Sequence, residues 1–346
     1  MDLPFVYGGP LSQARLRAQH EDFRVEEDLG YGPSGSGEHV WLFLEKRGCN
    51  TEWVATQLAK AARVPRLAVG YAGLKDRHAI TSQWFSITVK PEQEPDWNAV
   101  MPAGVTLVQA TRHAKKLKRG ALKGNRFRLL VRDWAHSSEA EDRLEHISRE
   151  GVPNYFGEQR FGRDGGNVDR FIASQSGGPP LDRHSRGIML SAARSHLFNA
   201  VLARRVVEAT WNQPMPGDMM NLDGSRSVFA YAENDPLIPG RLATLDIHPT
   251  GPLWGRGTLM VTGDTLKLEQ EVAATQGELP AMLEQAGLEQ ERRALRLPVR
   301  ELVCAWSELG AELSFVLPRG TYATAVLREL VRWETDFDVD TASADR

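Results

Sequence analysis

The chain has 346 residues, 41% of them hydrophobic and 25% charged, with a formal net charge of −3 at pH 7. These are the proportions of an ordinary soluble globular protein, long enough for about two domains and for a core that needs no disulfides or metals. The near-neutral balance argues against wholesale polyanion binding. The two cysteines, Cys49 and Cys304, form no CxxC pair and have no histidine at ligand spacing, which argues against a structural zinc site and suits a reducing compartment.

The first residues, MDLPFVYGGP, lack a basic n-region and an apolar h-region, and no run of about 18 apolar residues occurs. A cytoplasmic protein with no membrane partner is expected. In chain order, residues 38–47 (EHVWLFLEKR) are rich in β-formers and predict a strand. Asn50 can cap a helix running to about Arg63, with Trp53, Val54, Leu58 and Ala61 on or near one face, and Val64-Pro65 ends it. A short strand over 67–71 leads into a turn at Gly73, and further strands are expected over 83–89, 105–110 and 126–132. Ser138 with Glu141 makes a capping box for a helix that ends near Gly151. Glycine and proline then cluster (GRDGGN, SGGPP). A long amphipathic helix is expected over 190–211, an acidic helix over 269–287, a strand over 311–317 and a capped helix over 321–333. The pattern predicts an α+β core built from both ends of the chain, with a mixed segment inserted between.

The segment GYAGLKDRHAITSQWFSI, residues 70–87, places Asp76 between Lys75 and Arg77, after a small-residue turn and before a strand-like run. Opposite charges within a few ångströms favour the charged form of a carboxylate, and an ionised carboxylate at a turn can act as nucleophile or base. Taken alone, such a triplet is more often a solvated surface turn. A second feature is a basic stripe. Between Arg112 and Arg128 lie eight Lys or Arg residues, one His and no acid. Local charge counts most when screening acts over about 8–10 Å, so Arg112, Lys115, Lys116, Lys118, Arg119, Lys123 and Arg126 are expected to contact phosphates, although a solvated loop would read the same way.

Three segments, AGLKDRHAITSQWFSI, LKGNRFRLLVRD and GVPNYFGEQRFG, occur in this order, with EDFRVEEDLG before them and LSAARSHLFNAVL after them. Together they resemble the TruD family of tRNA pseudouridine synthases, over about 16–330. The resemblance implies site-specific isomerisation of uridine to pseudouridine at position 13 in the D-arm of tRNA. It implies a pseudouridine-synthase core with a mixed, mainly antiparallel sheet, formed by 1–150 together with 301–346, and a large α/β insertion over 151–300. The reaction involves no net redox change or hydrolysis, so no metal or other cofactor is expected. The expected partner is tRNA, with no obligatory protein partner.

The same resemblance assigns residues. Asp76 matches the catalytic aspartate, acting on the ribose or on the uracil ring. Lys75, Arg77 and Arg17 are the candidate cations that hold its charge; neighbours on an extended backbone point to opposite faces, and Arg17 alone would read as a solvated strand residue. Phe127 matches the aromatic expected against the target base, where stacking contributes roughly 1–3 kcal/mol, and it could equally be a core residue. Asn125 matches an amide that could read a uracil edge or hold Asp76; after a glycine it would otherwise be a turn residue. Phe23 matches a second aromatic near the substrate, against a default of core packing. Tyr322 stands where the family often has Phe, keeping the ring and adding a hydroxyl. In NYFGEQRFG, residues 154–162, a structural junction is favoured over RNA contact by Tyr155, Arg160 and Phe161.

The alternative from another class is a structured-RNA-binding protein or RNA chaperone on the same fold without chemistry; the intact Asp76 favours the enzyme. A hydrolase using Asp76 as base lacks an accompanying histidine or metal cluster. His39, His78, His113 and His136 show no metal spacing, GPSGSGEHV is not a P-loop, and the acidic tail with Asp336, Asp338 and Asp340 lacks the glycine and glutamate of a calcium loop.

Overall fold

The structure, a computed structural model, describes residues 3–179 and 181–335, without the side chain of Arg163. The acidic tail beyond Thr335 lies outside the described residues. The first half contains β1 (Ser12–Leu16), β2 (Phe23–Asp28), β3 (His39–Arg47), α1 (Thr51–Ala61), β4 (Val69–Tyr71), β5 (Ile80–Thr88), β6 (Val105–His113), β7 (Gly124–Arg132) and α2 (Ser138–Glu150). The central segment contains β8 (Val152–Pro153), α3 (Gly166–Gln175), α4 (Arg183–Val207), β9 (Met219–Leu222), β10 (Val228–Ala230), α5 (Ile238–Ala243), β11 (Ile247–Leu253), α6 (Gly263–Ala274), α7 (Leu279–Gln285), β12 (Glu291–Ala294) and β13 (Arg296–Leu297). The chain then returns through β14 (Arg300–Ser307), β15 (Gly310–Pro318), α8 (Ala323–Leu327) and β16 (Val331–Thr335).

Ten strands form one sheet in the order β14-β15-β7-β2-β5-β3-β6, with β4 on β5 and with β1 between β16 and β7. Only β2·β5 and β1·β16 pair in parallel. The sheet is therefore mixed and mainly antiparallel, and both ends of the chain build it. Period-two alternation aims Phe23 and Val25 of β2, Phe127, Leu129 and Val131 of β7, and Leu313 and Phe315 of β15 into one core, which α2 covers with Leu144 and Ile147 and α8 with Val326 and Leu327. A second core packs α1 residues Val54 and Leu58 on Leu42, Leu44, Phe85 and Ile87. The two halves meet where β2 lies beside β5, with Arg24 opposite Ile80 and Glu26 opposite Ser82. Parallel neighbours start at the same end of a sheet. The loop that precedes β2 and the loop that precedes β5 are thereby brought side by side, and these loops carry Arg17 and Asp76.

The central segment leaves and rejoins the rest of the chain beside a separate two-stranded pair. β8 pairs antiparallel with β13, Val152 opposite Leu297 and Pro153 opposite Arg296. Between them a four-stranded sheet, β10-β9-β11-β12, packs with α4, whose Leu197, Phe198, Val201 and Leu202 are buried.

Several elements differ from the sequence expectations. Residues 66–68 form a 3-10 turn with Leu67 85% exposed, so the strand expected over 67–71 shortens to β4. The cap of α2 is Ser137, whose side chain accepts from Ala140 N, one residue before the expected capping box. Helix α4 starts seven residues earlier than expected, because Asp182 accepts from His184 N and Ser185 N, and it stops before Trp211. The acidic helix over 269–287 divides into α6 and α7. The helix expected over 321–333 is only α8; the residues after it extend as β16 because Val331 to Thr335 pair with Ser12 to Leu16.

Candidate active site

Asp76 sits in the loop between β4 and β5, half-buried. Its Oδ2 lies 2.6 Å from Arg17 Nη2, with 15% of the Arg17 side chain and 29% of the Asp76 side chain exposed. Its Oδ1 accepts from its own loop, from His78 N at 3.2 Å. Arg17 follows β1 with a positive φ of 59°, a conformation uncommon for a residue with a side chain. That backbone turns its guanidinium onto Phe23, 4.0 Å from the ring centroid. Phe23 meets Phe127 edge-on at 6.3 Å, and Phe127 stacks on Phe315 at 5.4 Å. The cation beside Asp76 therefore rests on an aromatic floor. Phe23 and Phe127 are 5% and 6% exposed, so both are core residues, and they reach Asp76 through Arg17.

Lys75 requires a correction. It does not pair with Asp76. Its Nζ turns inward to Glu27 Oε1 at 3.0 Å, with 5% of the lysine and none of the glutamate side chain exposed. Glu27 Oε2 also accepts from Trp84 N at 3.1 Å. Arg77 points outward, with no ion pair of its side chain among the described residues. The three charges along the Lys75-Asp76-Arg77 loop are thereby separated.

A buried polar cradle holds this loop from behind. Lys75 N donates to Thr51 Oγ1 at 3.0 Å, and Thr51 Oγ1 donates to Gln83 Oε1 at 2.9 Å. Gln83 Nε2 donates to Gly73 O at 3.1 Å. Lys46 Nζ donates to Asp76 O at 3.1 Å and to Cys49 O at 2.7 Å, and only 1% of Lys46 is exposed. Burial lowers the Lys46 ammonium to about 8, with Cys49 and then Asp76 opposing the shift. Glu27, Lys46, Thr51 and Gln83 were not among the residues singled out from sequence. A signal was present for two of them: Glu27 follows Phe23 and Val25, and Lys46 follows Leu42 and Leu44, on the inward phase of a strand, where an ionised side chain needs a partner.

Asn125 lies within β7, opposite Glu27 on β2 and Leu317 on β15, so it is a strand residue and not a turn residue. Gly124 before it allows β7 to approach β15, since a Cβ there would stand 2.5 Å from Leu317 O. The Asn125 Oδ1 is buried and has no hydrogen-bond partner among the described residues. Such an atom costs free energy unless something completes it. Tyr322 stands just before α8, its ring 6.3 Å from that of Phe156 and its hydroxyl accepting from Arg160 Nη2 at 2.6 Å.

The basic stripe is less free than its composition implied. Arg112 pairs with Glu94, Arg119 Nη2 lies 3.0 Å from Glu52 Oε1, and Arg126 Nη2 lies 2.7 Å from Glu301 Oε2. Lys116 donates to Leu67 O. Lys115, Lys118 and Lys123 are exposed, with no ion pair among the described residues. The stripe itself contains no acid, but the fold brings acids to it from distant segments.

The chain is similar to known proteins over most of its length. The family description "tRNA pseudouridine synthase D (TruD)" matches residues 4–171 and 177–330. A protein named tRNA pseudouridine synthase D from Nitrosococcus oceani is 50% identical over 336 residues, covering 94% of this chain and 93% of that one. One of the same name from Methylococcus capsulatus is 47% identical over 338 residues, covering 96% and 95%. The crystal structure of a putative tRNA pseudouridine synthase D from Methanosarcina mazei superposes with a TM-score of 0.73 over 96% of this chain and 98% of that one. At 21% identity, that likeness concerns the fold alone. Among the described residues no helix is long and apolar enough to cross a membrane.

Proposed function

The chain belongs to the tRNA pseudouridine synthase D (TruD) family, and from that premise we propose that it converts a single uridine, position 13 in the tRNA D-arm, with Asp76 as the catalytic group. It is an isomerase of uridine in tRNA. The N1–C1′ bond of the nucleoside breaks, the uracil turns, and a C5–C1′ bond forms. The C5 proton leaves and N1 takes one up, so the product has the composition of the substrate and nothing external is consumed.

The observation that carries this reading is the half-buried Asp76 carboxylate held at 2.6 Å by Arg17, itself seated on Phe23. An ion pair of this kind holds a carboxylate in a fixed orientation while leaving part of it accessible. Asp76 acts as nucleophile or base on the extruded nucleoside. The unpartnered Asn125 Oδ1 is available to accept from the uracil N3–H, and Phe23, Phe127 and Tyr322 supply the aromatic surroundings. Extruding the base costs a few kcal/mol, which these contacts must offset. The exposed lysines Lys115, Lys118 and Lys123 hold the RNA backbone. Residues 1–150 with those from 301 onward form the catalytic domain, and 151–300 form the family insertion, pinned at its base by β8 and β13. The site of action is the cytoplasm, without an obligatory protein partner.

Purified protein incubated with unmodified tRNA tests the proposal, with pseudouridine read by chemical mapping. One modified position in the D-arm is expected, and none with Asp76→Asn. Product from that variant at the wild-type rate would falsify the role of Asp76. Modification confined to another arm would overturn the assignment of position 13.

A further inference from the structure

The NYFGEQRFG motif is left without a role by the reading above. Its Arg160 donates from Nη1 to Ser191 Oγ at 3.0 Å and from Nη2 to the Tyr322 hydroxyl at 2.6 Å. Its guanidinium carbon lies 5.3 Å from the Phe156 ring centroid. Arg293 lies over the same ring at 4.2 Å, donating from Nη2 to Asn154 Oδ1 at 2.7 Å and from Nη1 to Gly320 O at 3.1 Å. The Nε of each arginine is buried and has no hydrogen-bond partner among the described residues. Neither guanidinium forms an ion pair among the described residues. Burial, with Arg160 adding to it, lowers Arg293 to about 10 although Tyr322 opposes the shift.

Several other enclosed arginines have an acid within reach, Arg17 with Asp76, Arg132 with Asp22, Arg205 with Asp218 and Arg292 with Glu269, whereas Arg143 and Arg296 are each buried singly on neutral acceptors, mainly backbone carbonyls. Two guanidiniums gathered around one ring with only neutral acceptors are costly unless an anion completes them. A place for one exists. Arg160 lines an open surface pocket of about 630 Å³ together with Arg183, His184, Gly187, Ile188 and Ser191, with no acidic side chain among its described lining residues. A guanidinium has five N–H donors. The two neutral hydroxyls leave a hydrogen on each terminal nitrogen of Arg160, the pair that suits phosphate.

We propose that Arg160, backed by Arg293 and flanked by Arg183 and His184, seats a backbone phosphodiester of the RNA substrate beside Tyr322. The assignment rests on the RNA-modifying reading above and deepens it. It adds to the exposed stripe a phosphate contact at the junction between the central segment and the sheet. Through the Arg160–Tyr322 hydrogen bond, it couples backbone capture to a residue assigned to the substrate site.

The test measures binding of an unmodified tRNA transcript as a function of salt for Arg160→Gln and Arg183→Gln, with thermal unfolding recorded for each. Losing one phosphate contact lowers the slope of log K against log salt by about 1. Both variants are expected to show that reduction, and Arg160→Gln about tenfold weaker binding at intermediate salt. A wild-type slope in a folded Arg160→Gln variant overturns the proposal. Should Arg160→Gln unfold, the exposed Arg183 decides: a wild-type slope in Arg183→Gln then overturns it. Pseudouridine formation by the wild type is scored separately. A reduced slope in the variants with no product from the wild type would reject the enzymatic reading and keep the phosphate seat.

Discussion

The ammonium of Lys46 donates to the backbone carbonyl of Asp76 at 3.1 Å, from the inward face of a different strand, and so ties the loop carrying the carboxylate to the sheet. Lys46 touches the backbone of Asp76 and not its carboxylate, so under the proposed function it is a positioning residue. Replacing it with methionine is expected to lower kcat for tRNA by about tenfold or more, with a smaller change in KM, because the loop loses a buried charge-assisted hydrogen bond.

The same lysine predicts a pH dependence of stability. Its folded value is lowered to about 8 from 10.5. Below the lower value both states hold the proton. Between the two values the unfolded chain binds more protons, so this group makes folding more favourable as pH rises through that window. The unfolding free energy of the wild type relative to Lys46→Met should shift toward the wild type by on the order of 1 kcal/mol between about pH 7.5 and 9.5. Denaturant titrations at the two pH values check it, and a constant difference contradicts it.

Glu27 and Lys75 form an enclosed pair at 3.0 Å with almost no exposure on either side. Glu27→Gln leaves the ammonium without its counter-charge and is expected to destabilise the fold by roughly 3–5 kcal/mol in urea unfolding. A loss below about 1 kcal/mol would show that Lys75 finds water or another acceptor.

Asn125 should behave in the opposite way. Its buried Oδ1 has no partner to lose. Asn125→Ala is expected to change stability by no more than about 0.5 kcal/mol, yet to lower kcat/KM by roughly tenfold to a hundredfold, the outcome required by the proposed role of the acceptor toward the substrate. Unchanged kinetics would leave the amide without a function.

The free lysines and the paired arginines of the stripe should also separate. Replacing Lys115, Lys118 and Lys123 together by glutamine is expected to lower the salt slope of tRNA binding by about 2 to 3. Arg119→Gln, which frees Glu52, should change it by less than about 1. Equal effects per residue would show that the ion pairs open when RNA binds.

Local chemistry made much of the fold legible. Asn50 capping α1, the alternation of β3 and β7, and Gly151 ending α2 depend on neighbours a few residues away, and each appears within a residue or two of its expected place. The end of the chain was not legible in this way. Residues 331–333 belong to the helix expected from sequence, although Val331, Trp333 and Thr335 are β-formers, and they pair as a strand with β1, more than three hundred residues earlier. That partner strand is beyond the reach of any local pattern.

The order of motifs and the position of Asp76 between two bases were set by the sequence alone, because covalent order and turn preference need nothing beyond the chain. Which cation serves that carboxylate was decided only by tertiary structure. Lys75, its neighbour, turns to Glu27, and Arg17, fifty-nine positions away, takes its place. Attraction between charges depends on distance through space and on exclusion of water. Both are settled by the parallel meeting of β2 and β5, which brings the two loops together at one end of the sheet.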